Sequence, residues 1–160
     1  MKELNAAFRA LVREVEIVEI EPLGFMAFLS NPAPEPGAEL SFDVKPTLST
    51  AREDEDDAGF FVRGDFKISV REDTGANEPA EPFLKLRYTV AGQYAVPEDF
   101  THPLDEALLK QFAETNAMVH LWPYLRAFVS SACGQLGLPS IMLPVLRQPK
   151  AKQASSPKSE

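Results

Sequence analysis

The chain has 160 residues, 44% of them apolar, and a formal net charge of −8, which describes one soluble domain at a size where assembly often completes burial. The acidic balance argues against a nucleic-acid partner, since phosphate binding rests on clustered Lys and Arg and only the last residues here are basic. No apolar run reaches the length of a membrane span, so no membrane insertion is expected. The opening MKELNAAFRALVRE lacks the apolar core of a secretory signal, and the single cysteine, Cys133, cannot form an internal disulfide; both favour a cytoplasmic setting.

Leu4, Ala7, Phe8, Leu11 and Val12 fall at helical spacing, which predicts a short amphipathic helix over residues 1–13. From Arg13 to Ile20 the pattern becomes a strand with one charged face, carrying Glu14, Glu16 and Glu19 with Glu21 just beyond. Val15 and Ile17 share one face and Val18 and Ile20 the other, which implies either a bulge or a strand buried differently at its two ends. Leu23, Phe25, Met26, Phe28 and Leu29 then cluster ahead of an irregular connection with three prolines and a glycine. This cluster reads either as a strand end packed in the core or as an apolar wall open to a partner.

Leu40, Phe42 and Val44 alternate with Ser41, Asp43 and Lys45, a second strand. The run from Glu53 to Asp57 reads as a hydrated hairpin loop or as a docking patch for a basic partner. A third strand over residues 60–71 and a fourth over 84–94 each have one apolar and one charged face. Four strands followed by helix predict an α+β fold, an antiparallel meander with a long proline-rich crossover after the first strand and helices on one face.

Thr101 or His102 can cap a helix that begins at Pro103 and carries Leu104, Leu108, Leu109 and Phe112 on one side. It is expected to run to residue 136 with a break near Pro123, where proline removes a helical hydrogen bond. Its second half bears the stripe Leu125, Phe128, Val129, Ala132, Cys133 and Leu136. Gly137 is placed to end it in the left-handed conformation. Pro139 and Pro144 then bracket Ile141, Met142 and Leu143, predicting a tethered apolar loop over 137–146 that closes a single domain at residue 147. Residues 148–160 have no apolar side chain larger than alanine and are expected to be a disordered basic tail. His102 and His120 have no further ligand at metal spacing, and neither a nucleophile elbow nor a phosphate loop is present. The chain is therefore expected to be neither a metalloprotein nor an enzyme.

The run WPYLRAFVSSACGQLGLPSIMLPV, through Pro123, Tyr124, Arg126, Gly137, Pro139, Leu143 and Pro144, resembles the signature region of the SecB family of export chaperones. The resemblance implies an ATP-independent, cofactor-free holdase: a four-stranded antiparallel sheet with helices on one face, assembled as a homotetramer from two dimers. It implies client binding to unfolded or precursor polypeptides along apolar grooves. Leu23, Phe25, Met26, Phe28, Leu29 and Phe42 would stand on one side, and Leu138, Ile141, Met142 and Leu143 on the other. Trp122, Tyr124, Leu125 and Phe128 would serve the oligomer interface, and Glu14, Glu16, Glu19 and Glu21 would be available for docking on the translocase motor SecA. Two departures stand out: a basic stretch follows Pro149 where the family continues into a second amphipathic helix, and the family's acidic docking residues cannot be matched one by one. The resemblance thus leaves open a holdase for export, a holdase for one dedicated client, and a chaperone that protects an antitoxin in a toxin–antitoxin system. A structural adaptor oligomer without clients is the alternative of another class, and a small-molecule carrier comes behind it. An open Phe25, Phe28, Ile141 and Leu143 surface would distinguish the chaperone from the other two.

Overall fold

The computed structural model describes residues 2–54 and 58–146; the tail over 148–160 and most of the acidic run lie outside them. The elements are α1 (Lys2–Glu14), β1 (Glu16–Leu29), β2 (Leu40–Ala51), β3 (Gly59–Glu72), β4 (Leu84–Ala95), α2 (Glu106–Phe112), a π turn (Ala113–Ala117) and α3 (Met118–Gln135). The four strands form one antiparallel sheet in the order β1-β4-β3-β2. The fold is therefore α+β, as expected, with β2, β3 and β4 as the meander and a long crossover after β1. The first strand pairs with the last, so residues 30–39 cross from one edge of the sheet to the other. Hydrogen bonds at the end of β4 hold the start of this crossing: Ser30 N–H donates to the Phe83 carbonyl at 2.8 Å and Asn31 Nδ2 to that of Pro82 at 2.9 Å.

The two-residue period of β3 and β4 separates the faces as alternation requires. Phe60, Val62, Phe66, Ile68 and Val70 of β3, and Leu84, Leu86, Tyr88, Val90 and Tyr94 of β4, are buried beneath the helices. Along β1 the register shifts between Ile17 and Glu19 and again between Pro22 and Gly24. The first shift decides between the two readings of that strand: with Val18 in a bulge, Ile17 pairs with Tyr94 and Ile20 with Gly92, so both face the helices. The strand also runs on to Leu29, well past the charged segment, because Phe25 to Leu29 continue to pair with β4.

The helical region differs from expectation at two places. Its cap is Asp105, whose carboxylate accepts from Leu108 N–H at 2.8 Å, so the helix opens at Glu106 and Pro103 stays outside. A carboxylate at this position also meets the positive end of the helix dipole, an advantage that Thr101 or His102 would lack. Pro123 does not break the helix; it lies inside α3. The helical bond that Pro123 cannot donate is the one to the Val119 carbonyl, and both residues lie on the exposed side of the helix. The irregularity is instead the π turn, where Thr115 Oγ1 donates to the Gln111 carbonyl at 2.7 Å, a side-chain bond that competes with the helical ladder. Gly137, at φ +70°, ends α3, with Leu138 N–H donating to the Cys133 carbonyl and Gly137 N–H to that of Gly134.

Two apolar clusters result. One lies between α3 and the middle of the sheet and includes Phe66, Leu86, Leu121, Leu125 and Val129. The other, where α1 and α2 cover the far end, centres on Phe60, Tyr94 and Phe112 with ring centroids 5.0–5.3 Å apart. Gly92 makes room for the second: a Cβ there would stand 2.8 Å from the Tyr94 ring. Residues 138–146 fold back along α3, where the Ser130 and Ser140 hydroxyls lie 3.0 Å apart and two further side chains hold the segment by its carbonyls. Trp122 Nε1 donates to the Pro144 carbonyl at 2.9 Å, and Arg126 Nε to that of Leu143 at 2.8 Å. No helix among the described residues is long and apolar enough to cross a membrane.

Three outcomes are expected. Gly92→Val should lower stability to urea by about 1–3 kcal/mol, because overlap with a fully buried ring outweighs the better strand propensity of valine; equal or greater stability would refute this account. Trp122→Phe removes the donor and part of a buried indole, at a cost of about 2–4 kcal/mol, and hydrogen exchange should quicken more at residues 138–146 than in α3. His120 Nδ1 lies 3.2 Å from the Tyr94 hydroxyl, and burial lowers its pKa from the ordinary 6.5. The unfolded chain therefore binds the His120 proton more readily, and stability should fall as pH drops below about 6.5, levelling off below the folded-state value. Thermal melts between about pH 7.5 and pH 5 should show this decline, and His120→Gln should flatten it.

Candidate functional site: an apolar groove between β1 and α3

A helix is roughly 10 Å across and strands lie about 4.8 Å apart, so a single helix covers about two strands. Here α3 packs on β4 and β3, and β1 at the edge is left largely bare on the same face. The groove opens in that gap. Its volume is about 620 Å³, with Pro22, Phe25 and Ala27 on the β1 side, Tyr88 as floor, and Tyr124, Phe128 and Leu136 on the α3 side.

Register explains which β1 residues enter it. Phe25 pairs with Tyr88 and Ala27 with Leu86, and residues directly opposite in an antiparallel pair share a face, so both point toward the helices. Phe128 stacks on Tyr88, centroids 4.7 Å apart and planes 9° apart, and reaches the Phe25 ring at 5.5 Å. Three aromatic rings thus form a continuous surface, yet Phe25 remains 70% exposed. Burial, and secondarily the neighbouring Tyr124, raises the Tyr88 pKa. The hydroxyl stays neutral, and the site offers aromatic faces with no fixed charge. A ligand that suits it is apolar and need not be of one shape.

A second, smaller cavity of about 300 Å³ lies between the crossover, residues 33–38, and the segment from Gly137 to Ile141, with Leu40 and Phe83 at its base. The end of α3 separates the two: Leu136 lines the first and Gly137 the second.

The expected client-binding residues distribute unevenly. Phe25 lines the first groove, Met26 sits at its rim, and Leu138 lines the second cavity. Leu23 and Leu29 are exposed, with Leu23 in the second bulge. Phe28, like Met26, pairs with a basic residue of β4 and so points to the opposite, open face. Phe42 is half-buried on β2, at the other edge of the sheet from β1. Ile141 and Leu143, expected on the groove wall, are core residues at 5% and 1% exposure, while Met142 between them is exposed. Their burial follows from the Trp122 and Arg126 tethers, which draw the backbone of this segment against α3. Trp122 and Leu125, expected at an oligomer interface, are likewise buried within the chain, whereas Tyr124 is exposed and Phe128 half-exposed in the groove. Glu14, Glu16, Glu19 and Glu21 are all exposed, the last three pairing with Ala95, Gln93 and Ala91 on the open face.

Tyr88 is the groove residue that sequence reading missed. Its alternation marks it as core, and only the pairing of β1 with β4 sets it opposite Phe25. Burial raises the Cys133 pKa, which keeps the thiol protonated. Among the described residues no three His, Cys, Asp or Glu side chains gather to hold a metal.

No protein-family model matches the chain. A curated SecB-like chaperone of Mycobacterium tuberculosis is 22% identical over 153 residues, covering 89% of this chain and 81% of that protein. The solved structure of a Mycobacterium tuberculosis SecB-like chaperone, in complex with a ChAD peptide from the HigA1 antitoxin, superposes with a TM-score of 0.75 at 22% identity. That overlap covers 90% of this chain and 99% of the other. The four-stranded sheet order, the long helix with its Gly137 stop and these two matches agree, and the chain is SecB-like in sequence and in fold.

Proposed function

We propose that the protein is an ATP-independent chaperone that holds segments of non-native polypeptide in the groove between β1 and α3. The observation that carries this reading is the exposed Phe25 beside the stacked Tyr88–Phe128 pair. A folded chain that leaves a large aromatic side chain in water next to an apolar trough has retained a surface for something else to cover. Burying one client side chain there is worth about 1.5–3 kcal/mol. One such contact is weak, and the holdase works as a homotetramer, in which repeated grooves raise the effective concentration of the next contact along the same client. The smaller cavity beyond Leu136 takes a second apolar side chain of the same segment. The charge-free lining gives breadth: it excludes charged side chains and separates aromatic from aliphatic ones poorly.

A single dedicated client, an antitoxin, is the form of this reading we favour over general export. It is supported by the antitoxin peptide on the similar Mycobacterium tuberculosis chaperone. It is supported also by the open sheet face, where Glu16, Glu19 and Glu21 share the surface with many cations and make a poor acidic dock for SecA.

The test is light scattering of a chemically unfolded model protein diluted into buffer with the chaperone and without ATP. Phe25→Ser should leave the fold and oligomer intact, since this side chain is 70% exposed and is not among the expected interface residues, and should reduce suppression of aggregation by about tenfold at equal concentration. Suppression equal to that of the parent would remove the groove from the mechanism.

A further inference from the structure

The face of the sheet away from the helices has its own organisation. In register, Met26 of β1 stands beside Arg87 of β4, Arg87 beside Lys67 of β3, and Lys67 beside Lys45 of β2. One row across the whole sheet therefore reads Met, Arg, Lys, Lys. The next row toward the crossover holds Phe28, Lys85, Ser69 and Asp43, and Arg71 and Arg63 lie above and below on β3. Over β2, β3 and β4 this face has six cations, Lys45, Arg63, Lys67, Arg71, Lys85 and Arg87, against two carboxylates, Asp43 and Asp65. The chain as a whole has 16 basic and 24 acidic residues. Six of the 16 basic residues thus lie on one side of three strands, while Glu16, Glu19 and Glu21 of β1 stand toward the other end of the same face.

Like charges directly opposite one another in neighbouring strands destabilise a sheet, and the two carboxylates relieve only part of this. Asp65 accepts from Thr89 at 2.6 Å and pairs with Arg63 at 3.1 Å and Arg87 at 3.8 Å, while Asp43 pairs with Lys45 at 3.5 Å. Among the described residues Lys67, Arg71 and Lys85 have no ion pair. The apolar side chains at the end of the rows, Met26 and Phe28, are 52% and 44% exposed.

We propose that this open face docks an acidic polypeptide segment of a partner protein, with its carboxylates along the Lys45–Lys67–Arg87 row and an apolar side chain against Met26 and Phe28. Screening leaves such a patch to act on its own: charges more than about 8 Å away are largely masked at physiological ionic strength, so the net negative charge of the rest of the molecule does not repel a segment already on this face. The same net charge disfavours a nucleic acid, whose long phosphate array extends past the patch to the acidic surroundings. This site lies on the opposite side of the sheet from the groove and is independent of it.

Fluorescence anisotropy on the full chain tests the proposal with a labelled peptide of alternating Asp and Leu, a peptide of alternating Lys and Leu, and a single-stranded DNA oligonucleotide. The acidic peptide should bind best, lose affinity as salt rises, and bind about tenfold or more weakly to Lys67→Glu combined with Lys85→Glu. These two lysines hold no internal ion pair, so the variant should fold as the parent does. Binding to Phe25→Ser should be unchanged, which separates this site from the groove. Absence of binding, equal binding of both peptides, preference for the DNA, or an unaffected double variant would each overturn it.

Discussion

One helix cannot cover four strands, and most of what distinguishes this molecule follows from that width. The α3 helix buries Leu121, Leu125 and Val129 on the two central strands. The α1 and α2 helices close the far end around Tyr94 and Phe112. Among the described residues nothing of comparable size lies over β1, so its helix-facing residues meet an aromatic trough where a core would otherwise continue. Hydrophobic burial, the chief driving force of folding, is here left incomplete in one place, and that place is the candidate site.

The trough keeps its shape because its lining residues are fixed by one another and by the sheet. Phe128 is oriented by its stack on Tyr88, and Tyr88 by its position in β4 between β1 and β3. The segment after α3 might have folded over the opening, since it carries Ile141, Met142 and Leu143. Instead Trp122 and Arg126 bind two of its carbonyls, and Ile141 and Leu143 are spent in the core. Buried carbonyls need donors, and the two side chains that supply them decide that this segment anchors the helix and leaves the groove uncovered.

The sheet therefore presents two surfaces of different chemistry. Its helix side offers aromatic, uncharged contact; its open side offers a cationic field bordered by Met26 and Phe28. Alternation along β1 assigns neighbouring residues to opposite surfaces, Phe25 to one and Met26 to the other. A single strand thereby contributes to both, and its two bulges set which residue goes where.

The two-faced strands, the amphipathic helices, the Gly137 stop and the family likeness were legible from the chain, because periodicity and the left-handed preference of glycine are local properties. The run from Pro123 to Pro144 pointed to the same SecB likeness that the comparisons find, while Leu23 to Leu29 left open a core-packed strand end or an accessible apolar wall. Several features were not local. The pairing of β1 with β4 depends on which edge a ten-residue crossing reaches, and with it came the bulge at Val18 and the meeting of Phe25 with Tyr88. Apolar side chains look alike in sequence whether they line a groove or fill a core; Ile141 and Leu143 became core through tethers donated from 17 to 22 residues away. Pro123 was read as a break by its own chemistry, yet it lies on the exposed side of a helix whose other side is packed through Leu121, Trp122 and Leu125, and the helix runs through it. Local patterning thus determined the elements and their faces, while tertiary packing alone decided which apolar face remained open and which cations came to lie in one row.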